Sequence, residues 1–122
     1  MGSTVAYVHF VIMGCGRVGA SLARSLEGLG HDVAVVDQDP EAFHRLGSDF
    51  SGRRVAGVGF DRDTLQQAGI EEAHALAAVS SGDNSNILAA RVARETFGVG
   101  HVVARIYDPD RAPVYQRLGI PT

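Results

Sequence analysis

Short apolar segments alternate along the chain with segments whose apolar residues recur at helical spacing. The apolar segments are nearly continuous runs of Val, Ile and Ala, as expected for parallel strands covered on both faces. We predict strands at about residues 8–13, 33–37, 54–58, 75–79 and 101–106. Helices are predicted at about residues 17–29, 40–47, 62–68, 84–97 and 110–118.

This alternation favours the α/β class, with a doubly wound, Rossmann-like parallel sheet and helices on both of its faces. Right-handed crossovers predict the strand order 3-2-1-4-5 and a ligand crevice at the carboxyl ends of the strands. We expect residues 1–122 to form one such domain. Ile120-Pro121-Thr122 resembles the approach to a sixth strand, so we expect the chain to be part of a longer protein with its final strands truncated.

The first predicted strand runs into a turn with the G-x-G-x-x-G spacing of dinucleotide-binding sites. Gly14 permits a tight turn, Gly16 lets the backbone approach a pyrophosphate, and Gly19 lets the helix pack close to the strand. The start of the helix offers free N–H groups and the positive end of its dipole to phosphates. Arg17 is a further phosphate contact or, alternatively, a solvated arginine. The candidate binding residues here are Gly14, Gly16, Arg17, Val18 and Gly19.

The second predicted strand ends at Asp37, where a carboxylate can accept hydrogen bonds from an adenosine ribose. Its negative charge would repel a 2′-phosphate, which favours NAD or an adenosine nucleotide over NADP. Gln38 is the neighbouring candidate. Asp39 precedes Pro40 and is better interpreted as the N-cap of the next helix.

The ends of the third and fifth predicted strands add further candidates. Gly57 and Gly59 flank Val58 and can form the wall of an adenine slot, with Phe60 beside it. The alternative is a plain turn with Phe60 in the core. Arg105 lies at the end of the fifth strand.

The loop after the fourth predicted strand is rich in short polar residues. Ser80, Ser81, Gly82 and Asp83 are candidate ligand contacts, although Asp83 is also a natural N-cap for the following helix. Asn86 follows one turn later, and we expect it to brace this loop.

Composition narrows the function classes. The 11 basic residues, all of them Arg, are outnumbered by 14 acidic ones, which argues against a nucleic-acid partner. A single cysteine, Cys15, excludes an internal disulfide and fits a reducing cytosol. No metal-ligand spacing and no nucleophile–base pair occurs, and every histidine falls away from the carboxyl ends of the predicted strands. We therefore predict a nucleotide sensor and not an enzyme; the histidines are His9, His31, His44, His74 and His101.

Several stretches beyond the glycine motif resemble one protein family. They are residues 12–19, 35–40, 65–70, 80–86 and 103–105. On these the chain resembles the regulator of K⁺ conductance (RCK) domain, also called the KTN or TrkA N-terminal domain. The family usually has Gly-Asp-Ala-Thr after the third strand, whereas this chain has Gly57-Val58-Gly59-Phe60. The carboxylate is missing at Val58, so only the backbone is expected to contribute there.

The resemblance implies a cytoplasmic regulatory subunit, peripheral to the inner face of the cell membrane. Such a subunit binds NAD(H) or an adenine nucleotide (ATP, ADP or AMP) and gates a membrane potassium uptake transporter subunit. Two alternatives remain open. One is the cofactor-binding half of an NAD-dependent oxidoreductase whose catalytic domain is absent from this chain, and the other is a freestanding nucleotide-binding structural module.

The resemblance also implies a homodimer or a higher ring assembly. The last predicted helix is consistent with this, since its apolar side chains would form an exposed surface that a second subunit can cover. These side chains are Val114, Tyr115 and Leu118, with Ile120 just beyond.

Overall fold

The structure is a computed structural model that describes residues 7–117 and 119–122. Within these residues the strands form one parallel sheet with the order β3-β2-β1-β4-β5. The predicted fold class and strand order are therefore confirmed. The strands are β1 His9–Met13, β2 Asp32–Asp37, β3 Arg53–Ala56, β4 Ala73–Ala78 and β5 His101–Ala104.

Helical segments connect the strands, and two of them differ in type from the prediction. The segment predicted as an α-helix over residues 40–47 is a 3-10 helix, and the one predicted over 84–97 is an α-helix that continues into a π-helical turn. The α-helices are α1 Arg17–Gly28, α2 Arg62–Gln67, α3 Asp83–Arg91 and α4 Ala112–Arg117. The other segments are the 3-10 helices Pro40–Leu46 and Ile70–Glu72 and the π-helical turn Val92–Thr96.

The two faces of the sheet bury separate sets of apolar side chains. Ile12 and Val35 pack with α1 and the first 3-10 helix on one face, and Val11, Val36 and Leu76 pack with α2 and α3 on the other. All of these side chains are fully buried. Successive residues of a strand point to opposite faces of the sheet. A sheet that is covered on both faces therefore needs apolar residues at successive strand positions.

The segment after α4 returns to the edge of the sheet. The Ala104 backbone N–H donates a hydrogen bond to the Pro121 carbonyl oxygen at 2.9 Å, and Ile120 is fully buried. The expectation that Ile120 is exposed is therefore wrong, because it packs into the same core as α3 and β5. Leu118 lies outside the described residues.

None of the helices in the described ranges is both long enough and apolar enough to cross a membrane.

Candidate functional site

A cleft of about 650 Å³ lies at the carboxyl ends of the strands. Strands β1 to β3 are added toward one edge of the sheet and β4 and β5 toward the other, so the strand order reverses between β1 and β4, where open α/β sheets bind their ligands. The volume lies within the range of small-molecule sites. Most of the sequence-predicted site residues line this cleft: Gly14, Gly16, Arg17, Val18, Asp37, Gln38, Phe60, Ser80, Ser81, Gly82 and Arg105.

The three motif glycines have different structural roles. Gly14 has a φ of +109°, and a Cβ there would lie 2.7 Å from the Ser80 backbone nitrogen. A Cβ on Gly19, which is buried behind the loop, would collide with the Gly14 carbonyl oxygen. A Cβ on Gly16 would meet no atom within 4 Å and would project into open space. Gly14 and Gly19 are therefore required by the fold, whereas Gly16 leaves space in the cleft.

The Asp37 carboxylate is held by two backbone N–H groups. Its Oδ2 accepts a hydrogen bond from Cys15 N–H at 2.7 Å, and its Oδ1 accepts one from Asp39 N–H at 2.9 Å. Asp39 itself caps the following 3-10 helix by accepting a hydrogen bond from Glu41 N–H at 3.0 Å, which confirms its interpretation as an N-cap. The orientation of the Asp37 carboxylate at the cleft wall is thus fixed by backbone N–H groups after β1 and after β2.

Cys15 belongs to the glycine loop, residues 14–19, and its side chain is buried. Burial raises the pKa of its thiol, and the Asp37 charge raises it further, while the charges of nearby arginines oppose the shift. Both main causes disfavour the thiolate. The Cys15 side chain is therefore a neutral packing group in the wall of the site.

Asn86, which is fully buried, joins the loops that follow β4 and β5. Its Oδ1 accepts hydrogen bonds from the Ser80 backbone N–H at 2.9 Å and from the Ser80 hydroxyl at 2.7 Å. Its Nδ2 donates to the carbonyl oxygens of Ser80 at 2.9 Å and Arg105 at 2.8 Å. The expectation that Asn86 braces the β4 loop is confirmed, and the bracing extends to the β5 loop.

Asp83 has a different role from either one predicted. Gly82 occupies the N-cap position of α3, and the Asp83 carboxylate does not line the cleft. Instead it accepts hydrogen bonds from the backbone N–H groups of Tyr107 at 2.8 Å and Asp108 at 3.0 Å. The bond from Tyr107 is the main cause that lowers the pKa of this carboxyl below its ordinary value. Asp83 therefore anchors the β5 loop.

Val58 also falls outside the cleft. Its side chain lines a shallow depression beside the cleft, together with Phe60 and residues 61–64. Gly57 and Gly59, on either side of Val58, do line the cleft. At this strand end the cleft wall is therefore formed by backbone and by Phe60, and not by the Val58 side chain.

Two arginines that the sequence singled out flank the cleft. Arg17 is exposed at the first position of α1, and no hydrogen-bond partner for its guanidinium is found among the described residues. The Arg105 guanidinium lies over the Tyr107 ring, 4.4 Å from its centroid. Both side chains can donate several hydrogen bonds to an anionic ligand.

Arg45, which no sequence motif singled out, also lines the cleft with Asp37 and Asp39. Its guanidinium donates a hydrogen bond to the Cys15 carbonyl oxygen at 3.3 Å. A 3-10 helix has three residues per turn, so Ala42 and Arg45 lie on the same side of it. In an α-helix, as predicted for this segment, Arg45 would be rotated by about 60° from the side that carries Ala42. Ser85 and Tyr107 are further lining residues that were not identified.

The fold and the cleft agree with a comparison against known families. The profile of the TrkA-N domain matches residues 10–122. The chain belongs to the TrkA-N domain family. The resemblance stated from the sequence is confirmed.

Curated relatives agree with this assignment. The chain is 74% identical over 115 residues to a protein of Streptomyces coelicolor named Trk system potassium uptake protein TrkA, covering 94% of this chain and 52% of that protein. It is 35% identical to a Trk system potassium uptake protein TrkA homolog of Pyrococcus horikoshii, covering 89% of this chain and 48% of that protein. The chain thus spans about half the length of these relatives.

Solved structures share the fold. The Kef CTD of Shewanella denitrificans in its AMP-bound form superposes with a TM-score of 0.80 at 25% identity, covering 92% of this chain and 67% of that one. The TrkA-N domain of the inner membrane protein ybaL from Escherichia coli gives a TM-score of 0.80 at 20% identity, covering 96% of this chain and 86% of that one.

Proposed function

We propose that residues 1–122 act as one nucleotide-binding domain that regulates a membrane potassium uptake transporter in response to NAD(H) or an adenine nucleotide (ATP, ADP or AMP). The observation that carries the proposal is the pairing of Asp37 with the glycine loop. The Asp37 carboxylate accepts a hydrogen bond from the Cys15 amide at 2.7 Å, and two residues later α1 begins with the exposed residues Arg17 and Val18. A ribose phosphate needs these two features side by side, namely an acceptor for its hydroxyl groups and free N–H groups for its phosphate.

The other walls of the cleft suit the remaining parts of such a ligand. Arg17 can pair with the phosphates as a charge-assisted donor. Gly57, Gly59 and Phe60 offer a flat, largely apolar surface to an adenine ring. Beyond the first phosphate the ligand would meet the polar loop at Ser80–Gly82 and then Arg105.

The relatives support the regulatory part of the proposal. The Streptomyces coelicolor relative is named as a potassium uptake protein, and the similar Kef CTD was solved with AMP. We infer a cytoplasmic location at the inner face of the membrane and a homodimer or ring assembly. A ligand that fits one arrangement of the subunits better than another would shift the assembly toward it and thereby bias the transporter.

The placement of the histidines favours regulation over hydride transfer. His31, His74 and His101 lie with Phe10 at the amino ends of the strands, with ring centroids 5.0 Å apart for Phe10 and His31 and 4.7 Å apart for His74 and His101. His9 is also at that end, where its Nε2 lies 2.7 Å from the Ala68 carbonyl oxygen. These imidazoles are at the opposite end of the sheet from the cleft.

A thermal-shift panel of NAD⁺, NADH, NADPH, ATP, ADP and AMP tests the proposed ligand class. A ligand that binds only the native state raises the melting temperature by mass action. We expect NAD(H) or an adenine nucleotide to do so, and Gly16→Val, which fills the cleft, to abolish the shift. If none of the six ligands shifts the wild-type domain at millimolar concentration, the proposal is wrong.

A further inference from the structure

Asp83 does not line the cleft, but it joins two segments that do. It begins α3, directly after the polar loop Ser80–Gly82, and its carboxylate holds the backbone N–H groups of Tyr107 and Asp108 at 2.8 and 3.0 Å. The side chain therefore fixes the β5 loop to the start of α3.

The β5 loop is held from a second direction. Asn86 donates a hydrogen bond to the Arg105 carbonyl oxygen at 2.8 Å, and the Arg105 N–H donates to the Ala78 carbonyl oxygen at 2.9 Å. Between these anchors and Asp83, the side chains of Arg105 and Tyr107 line the cleft as a stacked pair, with the guanidinium 4.4 Å from the ring centroid. Asp83 is the anchor on the Tyr107 side of this pair.

The stacked pair lies at the end of the cleft farthest from Asp37. In the sheet, β1 and β4 separate β2 from β5, so the carboxyl ends of β2 and β5 are about 14 Å apart at the usual strand spacing. A ligand whose ribose contacts Asp37 places its first phosphate at the glycine loop, beside β1. Only groups beyond that phosphate extend toward Arg105 and Tyr107.

We propose that Asp83 is a positioning residue for recognition of the ligand beyond its first phosphate, acting through the Arg105–Tyr107 pair. The inference rests on the proposed nucleotide-binding function. The stacked pair offers a cation and an aromatic face, which suit a second phosphate or a second nucleoside. The ligand class is therefore a nucleoside diphosphate or a dinucleotide, in preference to a monophosphate.

Titration calorimetry of AMP, ADP and NADH against variants of the 122-residue chain tests the inference. We expect Asp83→Ala to weaken the binding of ADP and NADH by about tenfold and to leave the affinity for AMP within about twofold of that of the wild type. Arg105→Ala should give the same pattern. The double variant should be no weaker than Arg105→Ala alone, because Asp83 acts through Arg105 and the two effects then do not add.

Asn84→Ala is the matched control. The Asn84 side chain accepts hydrogen bonds from Arg111, directly before α4, at 3.2 Å and from the Tyr115 hydroxyl in α4 at 3.1 Å, so it contacts neither Tyr107 nor Asp108, the two residues that Asp83 anchors. We expect wild-type affinities for all three ligands. Loss of ADP and NADH binding in this variant equal to that in Asp83→Ala would overturn the inference.

Other outcomes are equally decisive. If Asp83→Ala lowers the affinities for AMP, ADP and NADH equally, Asp83 has a general structural role. If it lowers none of them, Asp83 has no link to the ligand. Either result overturns the inference. Should Asp83→Ala not fold, Asp83→Asn retains one acceptor oxygen and must show a smaller loss confined to ADP and NADH. A wild-type domain that binds none of the three overturns the proposed function itself.

Discussion

The Asp37 carboxylate and the Cys15 backbone amide are joined by a 2.7 Å hydrogen bond that connects the end of β2 to the glycine loop. The other carboxylate oxygen accepts from Asp39 N–H, so one side chain determines the course of two loops at the cleft. Each oxygen retains further acceptor capacity. Asp37 is therefore positioned both to shape the site and to contact a ribose within it.

Asp37→Ala should weaken NADH and ADP binding by about 1–3 kcal/mol, since a charge-assisted contact is lost. It should also lower the free energy of unfolding, because the Cys15 and Asp39 N–H groups lose their acceptor. Titration calorimetry and urea unfolding measure the two effects. Asp61→Ala removes the N-cap of α2, at a position that does not line the cleft, and serves as the control. Unchanged NADH affinity in Asp37→Ala would make Asp37 a purely structural residue.

Gly16→Val should abolish nucleotide binding while leaving the melting temperature close to that of wild type. A Cβ at Gly16 meets no atom within 4 Å, so the added side chain would occupy open space in the cleft, where we propose that a phosphate binds. Gly19→Val is the contrasting variant, because its side chain collides with the Gly14 carbonyl oxygen and should prevent stable folding. Thermal melts with and without ADP measure both. A Gly16→Val protein that binds ADP like wild type contradicts a phosphate at this loop.

Arg17→Ala should weaken the binding of ATP and ADP more than that of adenosine, because a guanidinium recognises phosphate and not base or ribose. The exposed Arg17 side chain begins α1, next to the free N–H groups of the first turn. Arg62→Ala is a suitable control, since Arg62 is also exposed at the start of a helix, α2, but does not line the cleft. Equal losses for all three ligands, measured by calorimetry, would instead indicate a structural role for Arg17.

The sequence was most informative where a local rule decides the structure. Continuous apolar strands predicted the parallel sheet, and the glycine spacing predicted the turn at Gly14, which needs a positive φ. The N-cap at Asp39 was predicted from the dipeptide Asp39-Pro40 alone. These features depend on residues close in the chain and on the backbone preferences of each residue type.

Contacts between distant loops were not predictable in this way. Asp83 satisfies the sequence pattern of an N-cap, yet its carboxylate finds two backbone N–H groups 24 and 25 residues away. Arg45 lies at the cleft on a segment that is a 3-10 helix, a helix type that apolar spacing does not reveal over seven residues. The loop that a polar side chain contacts is determined by how the sheet brings the ends of its strands together, and not by neighbouring residues in the chain.

Asn86→Ala should lower the free energy of unfolding by about 1–3 kcal/mol, because polar groups of Ser80 and Arg105 lose their Asn86 partner at a partly buried junction. Asn84→Ala, on the exposed side of the same helix, should change it by about 0.5 kcal/mol or less. Urea unfolding of both variants provides the comparison. Similar values for the two would mean that the Asn86 hydrogen bonds do not hold the β4 and β5 loops together.

The outer surface of α3 and α4 is the region through which we expect two copies of the domain to associate. Leu88 and Val114 are large apolar side chains that are 43% and 50% exposed. Leu88 lies one turn after Asn84, and the Asn84 side chain accepts a hydrogen bond from Tyr115, the residue after Val114, so both apolar residues lie near the contact between α3 and α4. Exposed apolar residues grouped on one face mark a surface for association.

We therefore expect a twofold homodimer in solution at concentrations on the order of tens of micromolar, typical of modest interfaces. Leu88→Asp should shift it to monomer, because a charge on that face would be buried without a partner. Leu29→Asp is the control, since Leu29 is 67% exposed at the end of α1, on the other side of the sheet. Light scattering measures the mass of each variant. A wild-type monomer throughout that range, with or without ADP, would refute the dimer and weaken the gating proposal, because a ligand can reorient subunits only if they touch.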